Sequence, residues 1–301
     1  MIEINNVSKS YEGHMAVDSL SLSMKEGEIF GLVGTNGAGK TTLLRMLCGI
    51  LKADSGDIKI DGCAVWDNPR AKKNFFFISE EPYYFANCRA KNMAEYYAGV
   101  YPDFSMDEFS ELMERFGLDA KKRIGAYSKG MKRQLFVILG LCSHTKYLFC
   151  DETFDGLDPV MRQATKSLMA KAMEDRGLST VMTSHNLREL EDICDHVGLL
   201  HRGGVLLSKD MDELKLGIQK IQAVFENDED RAAVEEKLSI VSKKTQGRLY
   251  IYTLRTNDED PSQVFEDSGA VWFESLPLSL EEIFISETEV VGYDIQKIIG
   301  A

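Results

Sequence analysis

Residues 34–42 read Gly-Thr-Asn-Gly-Ala-Gly-Lys-Thr-Thr, and this stretch indicates how the chain folds around it. It satisfies the pattern G-x-x-x-x-G-K-S/T of a phosphate-binding loop. An apolar segment typical of a buried strand, residues 29–33, comes before it, and a pattern of helical period follows from Thr42. Strand, glycine-rich turn and helix in this order are the context that the motif requires. The sequence therefore predicts a polyphosphate site at the turn.

The loop residues contribute different groups to that site. Glycines let successive backbone N–H groups turn toward one anion, and the helix that starts near Gly39 adds its positive end. Lys40 can reach the outer phosphates, and the hydroxyl of Thr41 is a ligand for Mg²⁺. We predict phosphate binding by the whole loop, which consists of Gly34, Thr35, Asn36, Gly37, Ala38, Gly39, Lys40, Thr41 and Thr42.

A second apolar strand pattern, residues 147–150, ends in two acids, Asp151 and Glu152. This order places Asp151 at the carboxyl end of a sheet strand, beside the phosphate loop. Asp151 is expected to hold Mg²⁺ through the water shell of the ion. Glu152 projects in another direction, toward the place where water would attack the γ-phosphate. It would serve as the general base or as the group that orients the water.

Apolar runs alternate with helical patterns along the chain, as in an α/β sheet with an antiparallel early portion. Strands are predicted at 2–7, 20–24, 28–33, 57–60, 75–79, 147–150, 180–183 and 197–200, and helices at 40–48, 90–101, 105–116, 130–142, 159–174 and 187–193. Because strand patterns are missing between Pro82 and Cys142, an all-helical subdomain is expected there, at about 82–142. The first domain is predicted to comprise residues 1–215.

The pattern changes at about Ile218, where a second domain, residues 216–301, is predicted. Its elements are expected in the order strand 221–225, helix 231–238, strands 240–242 and 248–254, helix 261–268 and strand 270–274. This β-α-β-β-α-β order is that of a small α+β unit of ferredoxin-like type.

Composition excludes several classes of protein. Among 301 residues, 44% are hydrophobic and 28% charged, which is ordinary for a globular protein, and the net charge of −13 disfavours a nucleic-acid partner. No stretch approaches the roughly 18 apolar residues that span a bilayer, and the first residues do not resemble a signal peptide, so a cytoplasmic location is expected. The cysteines are scattered, which indicates neither a zinc site nor a disulfide framework.

Three further motifs follow the phosphate loop. They are Tyr-Ser-Lys-Gly-Met at 127–131, Gly-Leu-Asp at 156–158 and Thr-Ser-His at 183–185. Together, in this order, they resemble the ATP-binding cassette (ABC) family over roughly residues 1–215. The resemblance implies a P-loop NTPase cassette with a mixed sheet and a helical subdomain, which binds ATP and Mg²⁺. It also implies that two cassettes, either two copies of this chain or this chain and a homologue, pair head to tail and trap two ATP molecules.

The resemblance further implies roles for residues outside the loop. Tyr11 would stack on adenine. Ser128 and Gly130 would bind the γ-phosphate of the nucleotide held by the partner, and Asp158 would face the other subunit. The ring of His185 would hydrogen-bond the γ-phosphate and the attacking water. The implied catalytic set is Glu152, His185 and Lys40, and the implied metal ligands are Thr41, Glu80 and Asp151.

The chain departs from the family pattern at three places. Lys129 stands where the signature motif usually has glycine, and Met131 stands where glutamine is common. The added cation at Lys129 could alter the affinity of the dimer. At the position of the family's metal- and membrane-coupling glutamine, the best alignment puts Glu80, and Glu81 is the alternative.

The final segment, Leu-Ser-Leu-Glu-Glu-Ile-Phe at 278–284, resembles the tail of stand-alone ATPase subunits of bacterial multidrug, antibiotic-peptide and sodium exporters. This implies a separate integral membrane permease, to which the chain would bind at the inner face of the membrane. In the family, a groove on the helical subdomain accepts a short helix of the permease. The helical subdomain carries a cluster of aromatic residues, of which some are expected in the core and some in that groove. They are Tyr83, Tyr84, Phe85, Tyr96, Tyr97, Tyr101 and Phe104.

A soluble cassette ATPase acting on ribosomes or DNA is the alternative function. Members that act on ribosomes usually carry two cassettes, and chromosome or repair members insert a long coiled coil between phosphate loop and signature. This chain has one cassette, and its interval between Lys40 and Ser128 is too short for such an insert. Its acidic balance also disfavours nucleic acid. The sequence therefore favours an ATP-hydrolysing subunit of a transporter, and the resemblance of the 278–284 segment implies that the transporter is an exporter.

Overall fold

The computed structural model describes residues 1–256, 261–266 and 270–290, with the backbone alone for 287–290. The chain forms two compact units, Met1–Ser208 and Lys209–Ala301. This division falls a few residues before the domain boundary that the sequence predicts, at 215–216. Each unit has its own sheets and core.

The first unit contains a four-stranded sheet of order β2-β1-β4-β5 and most of a six-stranded sheet of order β10-β9-β3-β8-β7-β6. The strands are β1 (Ile2–Tyr11), β2 (His14–Met24), β3 (Ile29–Val33), β4 (Ser55–Ile60), β5 (Cys63–Ala64), β6 (Phe75–Ile78), β7 (Tyr147–Asp151), β8 (Ser179–Ser184), β9 (His196–His201) and β10 (Gly204–Asp210). The helices are α1 (Lys40–Leu47), α2 (Pro69–Lys72), α3 (Ala90–Val100), α4 (Met106–Arg115), α5 (Lys129–Cys142), α6 (Pro159–Arg176) and α7 (Leu187–Glu191). Strand β1 pairs antiparallel with both β2 and β4.

Strands β3, β7 and β8 are parallel neighbours in the six-stranded sheet, and every residue in them is buried. Strands covered on both faces favour apolar residues at successive positions, and β3 and β7 show this pattern, whereas β8 also buries the hydroxyl side chains of Ser179, Thr180, Thr183 and Ser184. Their carboxyl ends meet at one edge, where Val33 pairs with Ser184 and Asp151 pairs with Thr183. The phosphate loop, the two acids and the Thr-Ser-His motif therefore converge there.

The predicted helical subdomain is present between β6 and β7. Residues 82–142, all of which the structure describes, contain α3, α4, α5 and a short 3₁₀ helix at Ile124–Ala126, and no strand. Tyr97 and Tyr101 pack against Phe76, with ring centroids 4.9 and 5.5 Å away. Tyr83 and Tyr96, by contrast, remain exposed. The aromatic residues of this segment thus divide between core and surface.

Several short or polar elements were not predicted. The two-residue strand β5, the short helix α2 and the strand β10 carry weak apolar periodicity, and β2 begins at His14 rather than at residue 20, whereas the strand predicted at 57–60 is present as β4. The exposed first half of β2 alternates polar and apolar residues irregularly. Its pairing with β1 has irregular register, so the apolar alternation that marks residues 20–24 does not continue into this half of the strand.

The second unit has the predicted β-α-β-β-α-β order. Its elements are α8 (Met211–Leu216), β11 (Ile218–Phe225), α9 (Asp228–Lys237), β12 (Ile240–Gln246), β13 (Leu249–Arg255), α10 (Pro261–Glu266), β14 (Ala270–Leu276) and α11 (Leu280–Val290). The antiparallel sheet has the order β12-β13-β11-β14, and its core includes Ile221, Tyr252 and Phe265. The predicted end of the helix at 267–268 lies outside the described residues.

Candidate nucleotide-binding site

The phosphate loop has a backbone that only glycine adopts easily at two positions. Gly37 has φ +79° and Gly39 has φ +101°, in the left-handed region. A Cβ atom on Gly39 would lie 2.3 Å from the carbonyl oxygen of Ala16, so a side chain there would also clash. No side chain caps α1 at Gly39, which leaves the first turn of the helix open to an anion. The loop conformation is therefore suited to phosphate.

Lys40 is buried at the base of this loop, with 6% of its surface exposed. Its Nζ atom donates a hydrogen bond to the carbonyl oxygen of Gly34 at 2.7 Å and lies 3.9 Å from Oε1 of Glu152. Burial lowers the pKa of Lys40, while the charges of Glu152 and Asp151 act in the opposite direction. The ammonium of Lys40 has one short hydrogen bond and one longer ion pair, so phosphate oxygens can replace these partners when a nucleotide binds.

Asp151 is bound through one of its two carboxylate oxygens. Its Oδ1 atom accepts hydrogen bonds from Oγ1 of Thr41 at 3.1 Å and from Oγ1 of Thr183 at 2.8 Å. The Oδ2 atom is buried and has no hydrogen-bond partner. An orphaned carboxylate oxygen beside a threonine hydroxyl fits a hard cation such as Mg²⁺, which prefers oxygen ligands and retains several waters.

Glu152 has a strained backbone, with φ +48° at a residue that carries a side chain. Its N–H donates to Oγ1 of Thr183 at 3.0 Å, and its Oε2 lies 2.8 Å from Nδ1 of His185. Backbone strain of this kind concentrates at functional sites, because the surrounding structure must hold it in place. The hydrogen bond to Thr183 holds the backbone of Glu152, and the contact with His185 positions its carboxylate next to the phosphate loop.

Lys40, Thr41, Glu152 and His185 line one cavity of about 510 Å³, whereas Asp151 is buried and reaches it only through its hydrogen bond with Thr41. It is lined by Tyr11, Ala16, Asn36, Gly37, Ala38, Gly39, Lys40, Thr41, Thr42, Glu80, Glu152, Asp155 and His185. Glu80 thus faces the cavity, whereas Glu81 is not among its lining residues and accepts a hydrogen bond at its carbonyl oxygen from Ser79.

The signature residues and Asp158 lie elsewhere in this chain. Ser128 caps α5 by accepting a hydrogen bond from the N–H of Met131 at 3.2 Å, and Asp158 caps α6. Neither Ser128, Gly130 nor Asp158 lines the cavity formed by the phosphate loop. A single chain therefore brings together the loop, Glu152 and His185, whereas Ser128, Gly130 and Asp158 lie outside the cavity.

Two residues with a clear place in the site had no predicted role. The hydroxyl of Thr183 links Asp151 to the backbone of Glu152, and the carboxylate of Asp155 lines the cavity. Thr183 begins the Thr-Ser-His motif, but only pairing between β7 and β8 reveals that its side chain meets Asp151. Asp155 precedes the Gly-Leu-Asp motif, and no spacing rule distinguishes it from a surface acid.

The chain is similar to proteins of known class. A model of the ABC transporter family matches residues 17–155. The ABC transporter ATP-binding protein YtrB of Bacillus subtilis (strain 168) is 32% identical over 287 residues, which cover 95% of this chain and 98% of YtrB. The bacitracin transport ATP-binding protein BcrA of Bacillus licheniformis is 32% identical over 307 residues, 100% of this chain and 97% of BcrA.

A solved structure shows the same fold. The dimeric ATP-binding cassette MJ0796, in a post-hydrolysis state bound to ADP and Pi, superimposes with a TM-score of 0.63 at 21% identity over 70% of this chain and 99% of that one. Fold and site together define an ATPase cassette of the P-loop class. The chain belongs to the family of ABC transporter ATP-binding proteins, as the sequence predicts. Across the described ranges, no helix combines the length and the apolarity needed to cross a membrane.

Proposed function

We propose that this chain is the ATP-hydrolysing subunit of an exporter, in which two cassettes close head to tail around two ATP molecules and drive a separate membrane permease. One observation supports this above all. Lys40, Thr41 and the Glu152–His185 pair line a single cavity, and the buried carboxylate of Asp151 is hydrogen-bonded to Thr41 beside it. A cation, a metal-binding carboxylate and an oriented general base are the groups that phosphoryl transfer to water requires.

Each residue has a specific part in this scheme. Tyr11 stacks on the adenine at the mouth of the cavity, and the loop with Lys40 binds the phosphates. Thr41, Asp151 and Glu80 would hold Mg²⁺, which neutralises charge on the phosphate oxygens. Glu152 accepts a proton from the attacking water or orients it, and His185 steadies the Glu152 carboxylate and the γ-phosphate.

A second cassette completes the site. The helix α5 begins at Lys129, after the cap residue Ser128, and Ser128 is exposed. Because Ser128 and Gly130 are separated from the cavity of their own chain, they are free to bind the nucleotide of a partner. Asp158 lies at the start of α6, in the segment expected to face that partner. The similar cassette MJ0796 was solved as a dimer.

The exposed aromatic residues support a membrane partner. Tyr83, Phe85 and Tyr96 form edge-to-face contacts with one another, with centroids 5.8 and 5.1 Å apart, and all three rings are exposed. Adjacent exposed aromatic rings mark protein interaction sites. We propose that they dock the permease at the inner face of the membrane. The name of the similar protein BcrA also describes a transport ATP-binding protein.

Glu152→Gln tests the hydrolytic part of this function. The amide keeps the shape of the carboxylate but cannot accept the proton, so ATP binding should persist while turnover falls about 100-fold or more. Phosphate release measures turnover, and sedimentation with ATP and Mg²⁺ should show the variant accumulating as a dimer. The matched control is Glu174→Gln, an exposed position on α6 away from the cavity, which should behave as wild type.

Wild-type turnover in Glu152→Gln would exclude Glu152 from catalysis, and a strictly monomeric variant would contradict the shared site. The membrane part is tested by capture from detergent-solubilised membranes of the native cell. An integral membrane protein should be recovered with wild type and lost with Tyr96→Ser, because the exposed ring is replaced by a small polar group. Recovery of ribosomes or DNA instead would support the alternative function.

A further inference from the structure

Lys129, the residue that departs from the usual signature, forms an ion pair inside its own chain. Its Nζ atom lies 2.7 Å from Oδ2 of Asp155, and the Lys129 side chain is 64% exposed. The hydrogen bond from Lys129 lowers the pKa of Asp155, so the carboxylate is charged at neutral pH. The stem of Lys129 runs along Gly156, since a Cβ atom built there would be 3.5 Å from Cδ of the lysine. The pair thus joins the start of α5 to the segment after Glu152.

Asp155 has a second cation on the same oxygen. Nη2 of Arg133 lies 3.5 Å from Oδ2 of Asp155, and the Arg133 side chain is 2% exposed. The other guanidinium nitrogens, Nε and Nη1, are buried without hydrogen-bond partners. A buried guanidinium needs a neutralising carboxylate, whereas an exposed ammonium does not. Lys129 can therefore leave Asp155 while Arg133 still neutralises that carboxylate.

The two ends of the ion pair face different nucleotides in the proposed dimer. Asp155 lines the cavity of its own chain, together with Glu152 and His185. Lys129 directly follows Ser128, which is expected to contact the nucleotide of the partner. Lys129 is thus the exposed cation nearest in sequence to the expected phosphate contact.

We propose that the Lys129–Asp155 ion pair is a latch, which opens when the dimer closes and lets the ammonium move from the Asp155 carboxylate to the terminal phosphate of the partner's ATP. This inference rests on the proposed head-to-tail dimer. A terminal phosphate carries more charge than a carboxylate already shared with Arg133, so the exchange favours closure. The latch holds Lys129 in a defined position until a triphosphate arrives. A diphosphate does not open the latch, because it lacks the γ-phosphate that Ser128, the neighbour of Lys129, is expected to contact.

The test is that substitutions of Lys129 and of Asp155 should change the affinity of the dimer in opposite directions. In the Glu152→Gln background with ATP and Mg²⁺, Lys129→Gln removes the phosphate contact and should weaken dimerisation about three- to fivefold, the size of an exposed ion pair. Asp155→Asn removes the competing carboxylate and should strengthen dimerisation by a similar factor. In a variant that already carries Lys129→Gln, adding Asp155→Asn should leave the dimer dissociation constant unchanged. Sedimentation gives each dimer dissociation constant, and Lys132→Gln on the same helix is the control that should match the parent.

A structural salt bridge would give a different result, because both single variants would weaken the dimer. That outcome overturns the latch. The latch is also overturned if Asp155→Asn strengthens dimerisation in the Lys129→Gln background, or if it strengthens dimerisation equally with ADP. Should Asp155→Asn fail to fold, an unchanged dimer in Lys129→Gln would by itself overturn the proposal. A parent that forms no dimer with ATP overturns the proposed function and the latch together. A parent that dimerises normally while all variants match it overturns the latch alone.

Discussion

At the scale of single residues, Glu80 is one of the positions where the resemblance to the family implies a change of charge. The resemblance implies a glutamine in its place, and the sequence leaves Glu80 and Glu81 as alternatives. Glu80 lines the nucleotide cavity, whereas Glu81 does not. A carboxylate binds a hard cation more strongly than an amide but also repels phosphate. Its value to the site therefore depends on bound Mg²⁺.

Glu80→Ala should raise the Mg²⁺ concentration that gives half-maximal turnover, by about threefold or more, because one oxygen ligand is lost. The measurement is ATP turnover across a Mg²⁺ titration. Glu81→Ala, one residue further along, serves as the matched control and should follow the wild-type curve. An identical titration for Glu80→Ala would remove that residue from the metal site.

At the scale of elements, the register of two strands assembles the acids. Strands β7 and β8 pair in parallel with Asp151 opposite Thr183, and this pairing directs the threonine hydroxyl at the Asp151 carboxylate. The same hydroxyl accepts a hydrogen bond from the N–H of Glu152, a residue with φ +48°. One side chain of β8 thus positions the expected metal ligand and the expected base on β7.

Thr183→Val should lower the free energy of unfolding of the first unit by about 2 kcal/mol, since a buried carboxylate and a partly buried N–H each lose a partner. It should also raise the Mg²⁺ requirement for turnover. Urea unfolding and the Mg²⁺ titration measure the two effects.

Thr180→Val is the matched control for this prediction. Thr180 lies on the same strand and is also buried, but its hydroxyl has no hydrogen-bond partner. Its replacement should therefore leave both quantities unchanged or slightly increase stability. Equal losses in the two variants would show that burial, rather than the link to Asp151, matters at Thr183.

At the scale of the whole molecule, all residues that line the nucleotide cavity belong to the first unit. The second unit has a separate core, in which Phe265 is 1% exposed and packs near Tyr252 and Phe273, with centroids 5.8 and 5.7 Å away. Separate cores allow separate unfolding. We expect two transitions in urea, one for each unit.

Phe265→Ala should lower the stability of the second unit by about 3–5 kcal/mol, as large-to-small changes in a core do, while the ATP affinity of the chain stays within about twofold of wild type. Urea unfolding and calorimetric titration with ATP give the two values. The matched control, Phe109→Ala, removes an equally buried ring from the first unit and should shift the other transition. A single transition lowered by both substitutions would contradict independent units.

Local chemistry in the sequence determined the phosphate loop, the class of the fold and the family. Gly39 requires a left-handed backbone, and the buried strands β3 and β7 favour apolar runs, so both features leave a pattern in the chain itself. The helical subdomain and the order of elements in the second unit are confirmed for the same reason, since helical and strand periodicity are local properties.

The contacts between distant segments came only from the tertiary structure. Thr183 meets Asp151, Glu80 rather than Glu81 reaches the cavity, and Lys129 pairs with Asp155, because parallel strand register and loop packing bring these segments together. No periodicity along the chain encodes which side chain faces which neighbour across a sheet edge. The chemical groups of each residue can be read from the sequence, whereas the residue that each group contacts depends on how the folded chain brings distant segments together.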